Sequence, residues 1–484
     1  MFPFEHIINI DKTSKIPIYR QIAIAIITAI RNGSLKASTP LPGSRELARI
    51  LQVHRKTIVA AYDELSAQDW ILVIPRKQVL VSDRIPLLPP KKWSAAISES
   101  AYTNDFSLPF RQLTEDQKET FLNPIPDIII DDGHPDVRLS PISDLLKTYR
   151  SYTGRKHAIK TAHIGTTQGT LKLREALVTY LSESRGLTIT AENIMITHGA
   201  QMSIYLASQL LLNATTSIIV GQPNYQVADA TFRQTGSKII TVPVDEYGID
   251  TKAIELICKK SPIHAVYVIP HHHYPTTVTL SVARRMQLLE LSRRYSFAII
   301  EDDYDYDYHY TSSPYLPLAS SAHNGHVIYI GSFSKILDPS LRMGFMIAPR
   351  NFIAQSTALR KLIDVGGDGY MQNALATLIK EGELKRHLKK AKKWYHQRRD
   401  FLDTLLKTHL SSYVTYTLPS GGMAIWIQLK KGYTVASLKA VNHLIIKEID
   451  ETNNAFRFGF ASLNEQELEE AVMTLKTIFA SLHT

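Results

Sequence analysis

Isoleucines at positions 18, 22, 26 and 30 recur every four residues, which places them on one face of a helix entered at Pro17 and left at Asn32-Gly33. A second helix is predicted from Ser44, with the serine hydroxyl as its cap and Leu47, Ile50 and Leu51 turned inward. A third runs from Arg55 to about Gln68 and buries Ile58, Ala61 or Tyr62, and Leu65. Two apolar runs, residues 70–74 and 79–81, predict a two-stranded wing around Pro75-Arg76-Lys77. Steady periodicity then stops. Residues 82–126 open with the proline-rich stretch 85–92 and continue as polar sequence, the pattern of an extended spacer. Past Asp127, helical patterns alternate with short, continuously apolar runs at 194–197, 217–220, 238–241, 265–269, 298–300 and 327–330. Such alternation predicts an α/β domain with a mostly parallel sheet covered on both faces. The domains expected are therefore 1–81, a spacer 82–126, and 127–484.

Charge sharpens the view of the amino end. The chain of 484 residues carries a formal charge of +10 and a pI near 9.3. Residues 1–80 hold eleven Lys or Arg against six Asp or Glu, half of that surplus in a sixth of the length. A basic three-helix unit whose third helix opens Arg55-Lys56-Thr57 describes a helix-turn-helix offering those side chains to a major groove of double-stranded DNA. The single cysteine, Cys258, excludes an intrachain disulfide and fits a reducing cytosol. The run 22–30, between Arg20 and Arg31, is too short to cross a bilayer, and no signal peptide is evident, so a cytoplasmic protein with no membrane partner is expected.

Candidate chemistry gathers at strand ends in the large domain. The run 327–330 leads into Gly331-Ser332-Phe333-Ser334-Lys335, with Arg342 seven residues on. A lysine presented there can form an imine, and two hydroxyls and a guanidinium supply donors for a phosphate. His198-Gly199-Ala200-Gln201 follows an earlier strand and opens a helix over 202–212, where free N–H groups suit an anion. Tyr225 can lie on a planar ring. Glu301-Asp302-Asp303-Tyr304 ends another strand and offers a carboxylate for a ring nitrogen and a phenol for a ring oxygen. Three consecutive histidines, 271–273, point alternately on an extended chain and give no converging metal ligands, so no metal is expected. The basic run 385–393 reads as a solvated helix face, with a second DNA-touching surface as the sharper option.

Two resemblances follow from these motifs. Leu41-Pro42-Gly43-Ser44-Arg45-Glu46-Leu47-Ala48 and the stretch Val53 to Leu65 resemble the winged helix of the GntR superfamily. That resemblance implies DNA contacts by Arg45, Arg55, Lys56 and Thr57, and by Arg76 and Lys77 from a wing that lacks the family's glycine pair. Residues 127–480 resemble fold-type I, class I/II aminotransferases that use pyridoxal 5'-phosphate. By that resemblance Lys335 forms the Schiff base, Asp302 faces the pyridine nitrogen, Tyr304 the ring hydroxyl, and Tyr225 stacks. Ala200, Gln201, Ser332, Ser334 and Arg342 hold the phosphate, and Arg457 receives a substrate or effector carboxylate. Tyr274, Thr277 and Ile164 stand where the family shows asparagine, glycine and a partner-subunit tyrosine.

Together the two halves resemble the MocR family of bacterial transcription regulators. The resemblance implies a domain-swapped homodimer on its operator, with a small amino compound or pyridoxal phosphate as the signal. Two alternatives stay open: a working aminotransferase with an appended DNA reader, and a pure sensor of pyridoxal phosphate controlling vitamin B6 synthesis.

Overall fold

The structure, a computed structural model, describes residues 3–75, 77–84, 108–109, 111, 128–154, 156, 167–310, 315–440 and 444–481. Arg76, Ile164 and nearly all of the spacer lie outside them. The chain divides into two units, Met1–Lys118 and Glu119–Thr484.

In the first unit the isoleucine stripe forms the helix Ile18–Arg31, which packs through Ile22 and Ile26 against Leu47, Ile58 and Leu65 of the helices Ser44–Ile50 and Arg55–Ala67. The wing is the hairpin Ile71–Ile74 and Gln78–Val81, joined on its outer edge by Pro40–Leu41. Capping departs from expectation. Gly43, not Ser44, takes the position before the second helix, without a side-chain cap, and the Ser44 hydroxyl instead accepts from Arg55 Nε at 3.3 Å. The recognition helix is capped by a residue that sequence rules pass over: His54 Nδ1 accepts the Lys56 N–H at 3.2 Å. The Tyr62 hydroxyl donates to Pro42 O at 2.7 Å and ties this helix to the turn before its neighbour.

The second unit is built on an eight-stranded sheet. Val327–Ser332 lies beside Ala298–Asp303, then Ala265–Val268, Ser217–Gln222 and Lys238–Asp245, all parallel. Gly344–Ile347 is antiparallel between Val327–Ser332 and Ile194–Thr197, so the latter ends on the same edge as the parallel strands. Helices Gly199–Leu211 and Val282–Tyr295 are among those that bury the flanking apolar clusters. A separate antiparallel sheet, Val414–Tyr416, Ala424–Leu429, Ala455–Gly459 and Ile449–Asp450, has its own core.

Two boundary differences matter for chemistry. The strand expected to stop at Ile300 continues to Asp303, so Glu301, Asp302 and Asp303 lie inside the sheet and are buried. The helix expected from Met202 starts at Gly199, so the Ala200 and Gln201 N–H groups belong to its first, unpaired turn.

A strap, residues 131–136, crosses the end of the Ala455–Gly459 strand. Asp131 Oδ1 accepts the Gly133 and His134 N–H groups at 2.8 and 2.9 Å, and Gly459 N donates to Asp131 O at 2.8 Å. A methyl group at Gly459 would collide with Asp131 Oδ1 and sit 2.6 Å from both Asp131 O and Gly133 N. Gly459→Ala should therefore lift the strap and cost about 1–3 kcal/mol, the usual range for overpacking. Chemical denaturation of the full-length chain checks it, and an unchanged midpoint would reject the contact.

Candidate functional site

Arg45 and Arg55 lie at the starts of two helices joined by the Arg55 Nε to Ser44 Oγ bond, and Lys77 lies in the turn of the wing hairpin. Arg45, Arg55, Lys56 and Lys77 are exposed and Thr57 is half-buried at the start of the recognition helix. Among the described residues no carboxylate pairs with any of these four cations, which leaves their charge available to phosphates. Leu72 and Val73 on the wing are exposed apolar side chains, 55% and 43% accessible.

In the large unit, loops from four strands converge on a cavity of about 200 Å³. Its wall includes Ala200, Gln201, Tyr225, Asp302, Tyr304, Ser332, Ser334, Lys335 and Arg342, every cofactor candidate that the sequence picked out. Asp132, His134 and Tyr274 also line it and were not among those candidates.

At one end the cavity is built to receive an anion. Gly199 has φ of +77°, and a side chain there would press on the Arg342 guanidinium, 2.9 Å from Nη2 to the added carbon. Only glycine lets that guanidinium lie against the start of the helix. Among the described residues, the buried Ser334 hydroxyl and Gln201 Oε1 have no partner. Ser332 Oγ accepts the Ser334 N–H at 3.2 Å.

At the other end Asp302 Oδ2 accepts the Tyr267 hydroxyl at 2.7 Å, while Oδ1 is buried and has no partner among the described residues. Burial, reinforced by Asp303 and Asp305, pushes this carboxyl up to about 7 against the lowering effect of Tyr267. Tyr225 meets the Tyr274 ring edge-on, 5.4 Å between centroids. Lys335 Nζ donates to Gly133 O at 2.9 Å and lies 3.7 Å from Asp132 Oδ2. The strap thus holds the lysine on the cavity wall.

Arg457 stands off the cavity wall. Its Nε donates to Asp132 O at 2.6 Å, Nη1 to Pro275 O at 2.8 Å and Nη2 to the Tyr304 hydroxyl at 3.0 Å. Tyr304 in turn donates to His272 O at 2.8 Å. The Tyr274 ring covers the guanidinium at 4.8 Å, and the Tyr274 hydroxyl donates to Glu448 at 2.7 Å. Where glycine was expected, Thr277 keeps the left-handed backbone, φ +62°.

The three histidines do not converge. His271 bonds Asp303 and Tyr315 O, His272 bonds Asp305, and His273 bonds Thr276. Among the described residues no group of three or more His, Cys, Asp or Glu side chains could hold a metal, and no helix is long and apolar enough to cross a membrane. The basic run lies on the helix Glu383–Leu405, with Lys385, Arg386, Lys389, Lys390 and Lys393 exposed.

Known proteins divide at the same point. Residues 18–81 match the family of bacterial regulatory proteins, gntR family, and residues 144–475 match aminotransferase class I and II. The chain is 27% identical to the HTH-type transcriptional regulator YdfD of Bacillus subtilis, over 97% of this chain and 98% of that protein. It is 24% identical to MocR of Rhizobium meliloti, a probable rhizopine catabolism regulatory protein, over 98% and 96% of the two. The structure of Pyrococcus horikoshii kynurenine aminotransferase, complexed with PMP, superposes with a TM-score of 0.67 at 26% identity, covering 73% of this chain and 91% of that one. The large domain's fold implies that the cofactor is pyridoxal phosphate. With the gntR-type DNA reader in front of it, in the order and over the length of these regulators, the chain belongs to the MocR-type transcriptional regulators, its larger part an aminotransferase class I and II domain.

Proposed function

We propose that this regulator carries pyridoxal phosphate in the cavity of its large domain and that an amino compound, or the cofactor itself, sets its affinity for an operator. The observation that carries this reading is Asp302 Oδ1, a carboxylate oxygen buried without a partner on the wall of a cavity that also presents Lys335. Such an atom is costly unless a bound group completes it. Pyridoxal phosphate, when bound, supplies an aldehyde that an amine can attack and a protonated ring that withdraws electron density.

The side chains fit that group. Lys335 offers the amine, and Asp302 holds a proton where a ring nitrogen needs one. Ser332, Ser334, Arg342 and the N–H groups of Ala200 and Gln201 offer donors to a phosphate, Tyr225 gives a ring face, and Tyr304 a phenol. Arg457 fixes the Tyr304 hydroxyl from behind. Arg45, Arg55, Lys56, Thr57 and Lys77 contact DNA, joined by Arg76. The protein acts as a homodimer, in keeping with paired half-sites for a helix-turn-helix reader. A signal can shift the DNA-binding equilibrium only by its differential affinity for two states of the protein.

Three outcomes test the proposal. Added pyridoxal phosphate should give the wild-type protein a visible band at roughly 400–430 nm, as expected of a cofactor joined to lysine. Borohydride should fix the adduct at position 335, and Lys335→Ala should show neither; a band of full intensity in that variant rejects the attachment site. Arg55→Ala should weaken operator binding by about 1–3 kcal/mol while cofactor uptake persists. Gel shifts at one stated salt concentration, with and without the cofactor, measure both effects.

The third concerns pH. Because burial raises Asp302 to about 7, the folded, ligand-free chain holds a proton there that the unfolded chain releases near pH 4. The resulting stabilisation is complete below that range and is lost as pH rises through 7. Glu301, raised to about 8 chiefly by burial, adds a loss of the same sign. Asp302→Asn removes only the first contribution, so its melting temperature without cofactor should fall less between pH 5 and pH 8 than that of the wild type. Equal falls in the two proteins would show that Asp302 does not hold this proton.

A further inference from the structure

The large unit carries its own concentration of positive charge. Residues 385–393 hold six Lys or Arg and no Asp or Glu, in a chain whose formal charge is +10. They lie in the first half of the helix Glu383–Leu405, whose inner face buries Leu384, His387, Ala391 and Tyr395. Arg386, Lys389, Lys390 and Lys393 stand three and four residues apart on the opposite face, and all four are exposed.

The stability of the helix does not ask for this arrangement. A helix start favours acids, as in Glu465–Ser481, which carries Glu465 and Glu467 in its first turn. Here Lys385 and Arg386 stand within the first four residues instead, and each is met by one carboxylate, Glu183 and Glu383. Lys389, Lys390 and Lys393 make no ion pair among the described residues. Lys385 with Lys389, Arg386 with Lys390, and Lys389 with Lys393 are like charges one turn apart, and each such pair weakens the helix. A face turned only to water is better served by alternating signs.

The spacing suits a polyanion. Arg386 to Lys393 spans about 10 Å of helix axis, and a duplex carries about six phosphates over the same length. Lysine ammonium groups meet such charges as mobile point donors and need no base edge. The same chain carries a gntR-type reader, so a duplex is the polyanion to which it is already tethered when this face meets it.

We propose that this face of Glu383–Leu405 is a second, sequence-independent contact for duplex DNA, made by Arg386, Lys389, Lys390 and Lys393 to phosphates. The inference rests on the chain's reading as a DNA-binding regulator and on nothing in the cofactor cavity. Such a contact adds affinity and a steeper dependence on salt without adding preference for any sequence.

Gel shifts of the full-length protein on a long random-sequence duplex, over a series of salt concentrations, test it. Lys389→Gln, Lys390→Gln and Lys393→Gln together should lower the slope of log K against log salt by about 2–3, for three lost phosphate contacts, and weaken binding roughly fivefold or more at fixed salt. A control variant loses the same charge elsewhere on the large unit. Lys238→Gln, Lys252→Gln and Lys260→Gln, at three exposed positions, should leave the slope near that of the wild type. The first variant should melt no lower than the wild type, because it loses like-charge repulsion. An unchanged slope in that variant, equal falls in both variants, or a lowered melting temperature overturns the inference. So does unchanged DNA binding with lost binding to vesicles of anionic phospholipid, which would assign the face to a membrane surface. A wild-type protein that binds no duplex at all removes the DNA-binding reading beneath it as well.

Discussion

Five carboxylates between Glu301 and Asp307 are drawn into or against the interior of an apolar sheet, and much of the large domain is arranged to make that tolerable. A buried carboxylate without partners costs several kcal/mol or gives up its charge. Glu301 accepts the Leu318 and Ala319 N–H groups, Asp303 takes His271 and the Tyr329 hydroxyl, and Asp307 pairs with Arg185 and Tyr180. Asp305 is bonded to His272 through one oxygen. Asp302 alone of the five lies on the cavity wall, and there one oxygen is left unmatched. The histidine run, which invites a metal reading in the sequence, is largely the counterpart of this acidic run. Two of its three rings are spent on Asp303 and Asp305.

This arrangement explains which features could be read from the sequence and which could not. Order and type of the elements were legible because they are local: the isoleucine stripe, the apolar strands, and the Ser-x-Ser-Lys loop after a strand all carry their meaning within a dozen residues. The antiparallel Gly344–Ile347 was not, since four apolar residues after a turn carry no sign of direction. Nor was the Ser44 hydroxyl's partner, which lies eleven residues on, in the next helix. Around the cavity, missed features depend on still longer separations. Arg457 reaches Asp132 O across 325 positions and Tyr274 reaches Glu448 across 174. A family pattern assigns Arg457 a type and a place in the chain; which acceptors its three nitrogens meet is a property of the folded packing.

The same packing limits how a signal can travel. The cradle for an anion is made wholly of large-unit residues, Ala200, Gln201, Ser332, Ser334 and Arg342. On the proposed reading, the effect on DNA arises from a shape equilibrium that the ligand biases. The strap 131–136 is the element placed to register such a bias. Its Gly133 carbonyl holds Lys335, its Asp132 carbonyl holds Arg457, and its Asp131 carbonyl accepts from Gly459 at the edge of the second sheet. On the proposed reading, a cofactor that draws Lys335 to itself takes the donor from Gly133 O. A buried or half-buried acceptor so released must find a new partner or move, and either response acts on both sheets at once.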